Sequence, residues 1–271
     1  MVDCHCHLLD PAAFPYQPGV WYEPGPAEQS DANYLGTLFD SHGVRHAVVV
    51  GPNSGYDTDN SCLLDLLDHG AGRYRGLAVV RNDISDGDLA ALRQGRIVGT
   101  TMQMSLLGVD TFRSTEPLLD SLAGLDMMVD VQVERDQLVE VAPMLNASEV
   151  RVLIDHCGRP DPAAGTDQPG FRRLLEMADT GRYWVKLSGM VKASGQPYPF
   201  RDAWPFVREL VAAFGPQRCL WGSDWPFLRA PQRLDYGPLL HLFGELVPDR
   251  QVRRAILWDT PRALFGFPDA G

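Results

Sequence analysis

Long hydrophobic runs are missing from this chain. Across its 271 residues no apolar stretch approaches the roughly 18 residues that a membrane helix needs, which excludes a helical span. No apolar segment follows Met1, so no signal sequence is read there and a cytoplasmic location is expected. Cysteine is scarce. Cys4, Cys6, Cys62, Cys157 and Cys219 form an odd set without framework spacing, which excludes a disulfide scaffold and predicts reduced thiols. Positive charge is in deficit. A formal net charge of -11 argues against nucleic acid or an anionic membrane as partner, and leaves a small molecule held in a local pocket. No glycine-rich phosphate turn follows the first apolar run, so a doubly wound nucleotide-binding sheet loses its main signature. There is no short-period repeat, and nothing in the sequence speaks to oligomeric state.

What the chain does have is alternation. At 45% hydrophobic and 22% charged it can bury one large core. Strands are predicted at Val2–Cys6, His46–Val50, Gly76–Val80, Ile97–Gln103, Met127–Val133, Val150–Asp155, Trp184–Ser188 and Cys219–Gly222. Amphipathic segments lie between them: Asp31–His42, Asn60–Asp68, Asp136–Leu145, Phe171–Met177, Ala203–Phe214 and Leu239–Val247, then Arg250–Trp258 and Pro261–Phe265. Eight strands with interleaved helices predict a single-domain, distorted (β/α)8 barrel over residues 1–271. The Pro-rich stretch 9–30 is too long for an ordinary turn and carries Tyr16, Trp21 and Tyr22, so it is expected to fold over the barrel mouth.

Chemistry concentrates at strand ends. In Asp3-Cys4-His5-Cys6-His7, alternation puts His5 and His7 on one face, the lumen, and Cys4 and Cys6 on the other, against the helices. His156 follows the apolar strand Val152–Ile154, and Asp224 follows Cys219–Gly222. Barrel enzymes keep their chemistry at these carboxyl ends. Three imidazoles and a carboxylate can bind one divalent ion such as zinc or manganese, which would acidify a bound water. They can also work without metal, His5, His7 and His156 polarising a carbonyl while Asp224 acts as general base. Both readings stay open.

The segments His5-x-His7, Asp155-His156-x-Gly158-Arg159-Pro160 and Gly222-Ser223-Asp224-Trp225-Pro226 resemble the amidohydrolase-related branch of the amidohydrolase superfamily, and within it the 2-pyrone-4,6-dicarboxylate lactonase group. Asp57–Asn60, Lys186–Gly189 and Thr260–Phe265 add to the resemblance, which runs from about residue 2 to residue 267. It implies His156 at the end of strand six, Asp224 at the end of strand eight, and water attack on a cyclic ester with Asp224 as base. Metal use varies within the group.

Departures set further expectations. Strand four reads Val98–Met104 without a carboxylate or lysine ligand, so a two-metal site is not expected. It also lacks carboxylate-binding arginines, so a less anionic substrate, or one held differently, is expected. Substrate contacts are expected from Tyr22, Asn53, Tyr56, Gln103, Gln132, Lys192 and Arg229. Lys186 is read as a structural ion pair, Arg113 as a loop charge and Arg159 as a brace for its own loop. His42, His46, His69 and His241 are read as structural. Two other functions compete with the lactonase: a metal-dependent decarboxylase of a small aromatic or unsaturated acid, and a non-catalytic barrel.

Overall fold

The computed structural model describes residues 1–269. Eight parallel strands run in chain order: β1 (Val2–Cys6), β2 (His46–Val50), β3 (Tyr74–Ala78), β4 (Ile97–Gln103), β5 (Met128–Gln132), β6 (Arg151–Ile154), β7 (Tyr183–Leu187) and β8 (Cys219–Trp221). The circle closes just past β8. Asp224 N–H donates to the His5 carbonyl and His7 N–H to the Trp225 carbonyl, both at 2.8 Å. This is the expected (β/α)8 barrel, one domain with helices between its strands.

Two layers of core follow from strand alternation. Ala47, Val49, Val129, Val131, Val152, Val185 and Cys219 face the helices, where Leu35, Phe39, Leu119, Leu145 and Leu210 meet them. Val2, Val48, Val50, Leu77, Met128, Leu153 and Leu220 fill the lower lumen, with Phe265 and Phe267 of the chain's end packed against them. The upper lumen is polar and carries the site.

The expected elements are present, with two differences. β3 begins at Tyr74 and stops at Ala78, because the Asn60 side chain takes both Val79 backbone groups, N–H at 3.1 Å and carbonyl at 2.8 Å. Helices Asp86–Gln94 and Glu116–Gly124 complete the ring without having been expected. The first buries only Leu89, so its sequence carries almost no apolar stripe.

Strict alternation fails in β1. Its pairing with β2 slips between Asp3 and Cys6, a bulge that inserts one extra residue. Cys6 stays in the outer core, but Cys4 joins the lumen cluster, correcting the expectation that both cysteines face outward. Asp3 faces outward: its carboxylate accepts from Tyr236 of the helix Tyr236–Leu246 at 2.8 Å and from Ser223 N–H at 3.0 Å. The bulge thus separates Asp3 from the two histidines and pins β1 to the end of β8. All five cysteines are free and buried.

Among the described residues, no helix is long and apolar enough to cross a membrane.

Candidate active site

The upper lumen is built from strand ends. β1 supplies His5, the residue just past its end is His7, the turn after β6 supplies His156, and the turn after β8 supplies Asp224. All four are buried. Each imidazole aims its Nε2 at one carboxylate oxygen: Asp224 Oδ1 lies 3.5 Å from His7, 3.7 Å from His5 and 3.9 Å from His156. Their Nδ1 atoms face supports instead. His7 Nδ1 is 2.8 Å from the Val50 carbonyl, His5 Nδ1 is 3.0 Å from Asp155, and His156 Nδ1 is 2.9 Å from the Ser188 hydroxyl. A carbonyl can only accept, so His7 carries its proton on Nδ1 when neutral and turns its Nε2 lone pair to the Asp224 oxygen. His5 Nδ1 lies between the Asp155 carboxylate and the Lys186 ammonium, the latter at 3.2 Å.

Acceptors converging at such range repel one another unless a cation or a proton sits among them. Two ligands about 2.1 Å from a tetrahedral ion stand about 3.4 Å apart. The spacing of His5, His7 and Asp224 therefore fits a single divalent ion, with His156 beside it. Supported Nδ1–H groups are also what imidazole ligands normally have. Burial pushes the His156 pKa down to about 3, so its nitrogen stays available. Asp224 remains ionised: burial alone would raise its pKa, but the neighbouring Lys192 ammonium, the largest opposing influence, helps hold it well below the carboxylate range. Its Oδ2 is buried without a hydrogen-bond partner.

Beneath the site lies a buried chain of charges. Lys186 of β7 contacts Asp130 of β5 at 2.8 Å and Asp155 after β6 at 2.9 Å, and Asp155 continues to His5. One lysine cannot neutralise two buried carboxylates. Burial and the neighbouring Asp155 push Asp130 well above its ordinary pKa. Asp155 resists its own burial through His5 and Lys186 and stays well below. Lys186 is thus the structural ion pair read from the sequence, and it also braces the support of His5. A second ion on Asp155 would compete with Lys186, and β4 contributes no ligand to either candidate cluster.

The turn after β6 explains how two cleft residues are aimed. His156, Cys157, Gly158 and Arg159 all have positive φ, between 43° and 73°. Such backbone costs of order 1 kcal/mol per non-glycine residue. Hydrogen bonds from Gly158 N–H to the Asp155 carbonyl (2.8 Å) and from Arg159 N–H to the His156 carbonyl (2.9 Å) hold it. The turn directs His156 inward and swings Arg159 over the opening. Gly189 makes room: a Cβ there would lie 2.5 Å from His156 Nδ1.

Above lies a cleft of about 380 Å³. His7, His156, Asp224, Asn53, Gln103, Gln132, Lys192 and Arg229 line it, all anticipated from the sequence. Tyr22 and Tyr56, expected as substrate contacts, do not line it. Tyr22 bonds Glu28 at 2.5 Å, and Tyr56 is buried against Tyr16 in the outer core. Trp21 takes the wall position from the 9–30 segment. Arg159 also lines the cleft, beyond the expected loop brace, and donates to Ser105 at 2.9 Å. Arg113 pairs with Asp110 and Glu140 on the surface. Three cations, Arg159, Lys192 and Arg229, thus line the same cleft as one carboxylate, Asp224, so the missing arginines of β4 do not leave the cleft uncharged. Asp130, Ser105 and Ser188 were missed in the sequence. A carboxylate at a lumen position of a strand was the available sign for Asp130.

Comparison with known proteins agrees with the barrel fold. The amidohydrolase family model matches residues 2–267. The chain belongs to the amidohydrolase family. A relative from Rhizobium radiobacter named 4-sulfomuconolactone hydrolase is 31% identical over 97% of this chain and 89% of its own length. Another, a 2-pyrone-4,6-dicarboxylate hydrolase from Comamonas testosteroni, is 30% identical over 97% and 89%. A crystal structure described as a probable 2-pyrone-4,6-dicarboxylic acid hydrolase from Acinetobacter baumannii, with citric acid bound, superposes with a TM-score of 0.89. It is 25% identical and covers 98% of this chain and 99% of that one.

Proposed function

We propose that this amidohydrolase opens the lactone ring of a small anionic organic acid. One observation carries the reading: three imidazoles converge on an ionised carboxylate whose second oxygen is free, inside a cleft walled by Arg159, Lys192 and Arg229. Relatives named for the hydrolysis of acidic lactones support it.

The cationic wall binds the substrate carboxylate, with Arg229 and Arg159 as donors. This places the lactone carbonyl over Asp224. The free Oδ2 takes a proton from water as the water oxygen attacks the carbonyl carbon. Lys192 Nζ, 3.7 Å from Asp224 Oδ2, faces the same space and stabilises the developing oxyanion. The ring C–O bond then breaks, and the proton held by Asp224 passes to the departing ring oxygen. Lactone and water give a hydroxy acid, with no redox change.

His5, His7, His156 and Asp224 would hold one divalent ion, zinc or manganese. When bound, that ion polarises the carbonyl and lowers the pKa of water to about 7. Such help suits Asp224, because a carboxylate this acidic is a weak base toward ordinary water.

The test is a panel of carboxylated lactones, assayed for ring-opened acid in the parent and in Asp224→Asn, with metal content measured on the same sample. Ring opening by the parent and none by the variant is expected. Release of carbon dioxide, ring migration without uptake of water, or full turnover by the variant would overturn the proposal.

A further inference from the structure

Of the three cations in the cleft, two are committed. Lys192 donates to the Leu228 carbonyl and neighbours Asp224, and Arg159 donates to Ser105 with Glu134 at 3.4 Å. The Arg229 guanidinium forms no ion pair among the described residues. It lies over the faces of Trp21 (4.6 Å) and Tyr22 (5.6 Å), which hold its plane and leave its N–H donors free.

Arg229 sits in a conformation that arginine seldom takes. Its φ is 53°, in a segment where Asp224 and Phe227 are also left-handed. Its backbone N–H is held from the other side of the mouth, donating to Glu28 Oε1 at 2.6 Å. The other oxygen of Glu28 accepts from the Tyr22 hydroxyl at 2.5 Å and from Gly25 N–H at 2.9 Å. One carboxylate therefore ties the backbone of Arg229 to the aromatic pair on which its guanidinium rests.

We infer that Glu28 is a positioning residue for anion binding. It latches the 9–30 loop to the loop after β8 and so aims Arg229 at the substrate carboxylate. The Arg229 side of the anion site is assembled from two loops, joined across the mouth by this side chain and by the stacking of Arg229 on Trp21 and Tyr22. The inference rests on the anionic-substrate reading and adds to it a residue that need not touch substrate. Glu28 acts through a backbone N–H, so loss of its charge matters even though no ion pair with the guanidinium breaks. Glutamine keeps the length but offers one acceptor oxygen for three donors.

Citrate, a tricarboxylate, is the probe, because its binding can be read without turnover. Calorimetric Kd values are compared for the parent, Glu28→Gln, Arg229→Met and the double variant, with thermal unfolding as the control for folding. Glu28→Gln should weaken citrate about 5–10-fold at unchanged Tm. Arg229→Met should weaken it at least as much, and adding Glu28→Gln to it should cost nothing further. Independent, multiplying losses in the double variant would overturn the inference. So would unchanged citrate affinity in Glu28→Gln, or a parent that does not bind citrate. Citrate binding is separate from ring opening, so a lactone panel left inert beside an intact cycle would count against the proposed function and leave the latch standing.

Discussion

Replacing Lys186 with methionine is the sharpest test of the buried charge chain. The substitution keeps length and removes the ammonium that lies 2.8 Å from Asp130 and 2.9 Å from Asp155. All three side chains are fully or almost fully buried. Removing one partner of a buried pair typically costs about 3–5 kcal/mol, because the remaining charge is left uncompensated. Two responses moderate the loss. Asp130, already raised in pKa, can take a proton, and Asp155 keeps its contact with His5. The lower half of that range is therefore expected. At about 2–4 °C per kcal/mol for a chain near this size, Tm should fall by about 6–16 °C. A second substitution gives the sign of the coupling. Asp130→Leu alone leaves Lys186 with one partner, but added to Lys186→Met it removes a carboxylate that has lost its cation. The double variant should recover part of the lost Tm. Thermal unfolding followed by circular dichroism measures both. A Tm for Lys186→Met within about 2 °C of the parent would refute the reasoning, as would a double variant less stable than Lys186→Met by the full single-variant cost of Asp130→Leu.

Further predictions concern the site. Asp224→Asn should lower kcat at least about 100-fold with Tm nearly unchanged, checked by initial rates on the best lactone of a panel. Gly222→Ala should cost about 1–3 kcal/mol and most activity, because its Cβ would stand 2.6 Å from His5 Cβ and 2.9 Å from His5 N, read by denaturant unfolding. Gly189→Ala should act more locally, displacing the His156 ring, and a kcat loss larger than its stability loss would show this. Lys192→Met should reduce kcat rather than only raise KM, since the ammonium faces Asp224 and the reacting carbonyl; a pure KM effect would assign it to anion binding instead.

The residues most legible in the sequence were those that repeat a pattern or punctuate one. Apolar runs of strand length, separated by amphipathic stretches, were enough for the barrel and for placing His156 and Asp224 at strand ends. His5 and His7, two apart and beyond the slip that turns Cys4 and Cys6 to different faces, kept the shared face that alternation predicts. The helix Asp86–Gln94 was invisible because it buries one leucine, and a helix without a stripe leaves no periodic signal.

Other features belong to the tertiary structure alone. The bulge in β1 depends on its neighbour's register, so no local pattern could show that Cys4 faces the lumen and Asp3 the helices. The Asp130–Lys186–Asp155–His5 chain joins four strands, and each member by itself is an ordinary charged or polar residue. Arg159 reaches the cleft through four successive left-handed residues, a path set by hydrogen bonds between turns. The overall charge of -11 pointed away from nucleic acid and anionic membranes and left the local pocket open, and the cleft gathers Arg159, Lys192 and Arg229 in one wall with Asp224. Composition sums charge over the whole surface, whereas binding depends on the few groups that folding brings within reach of one another.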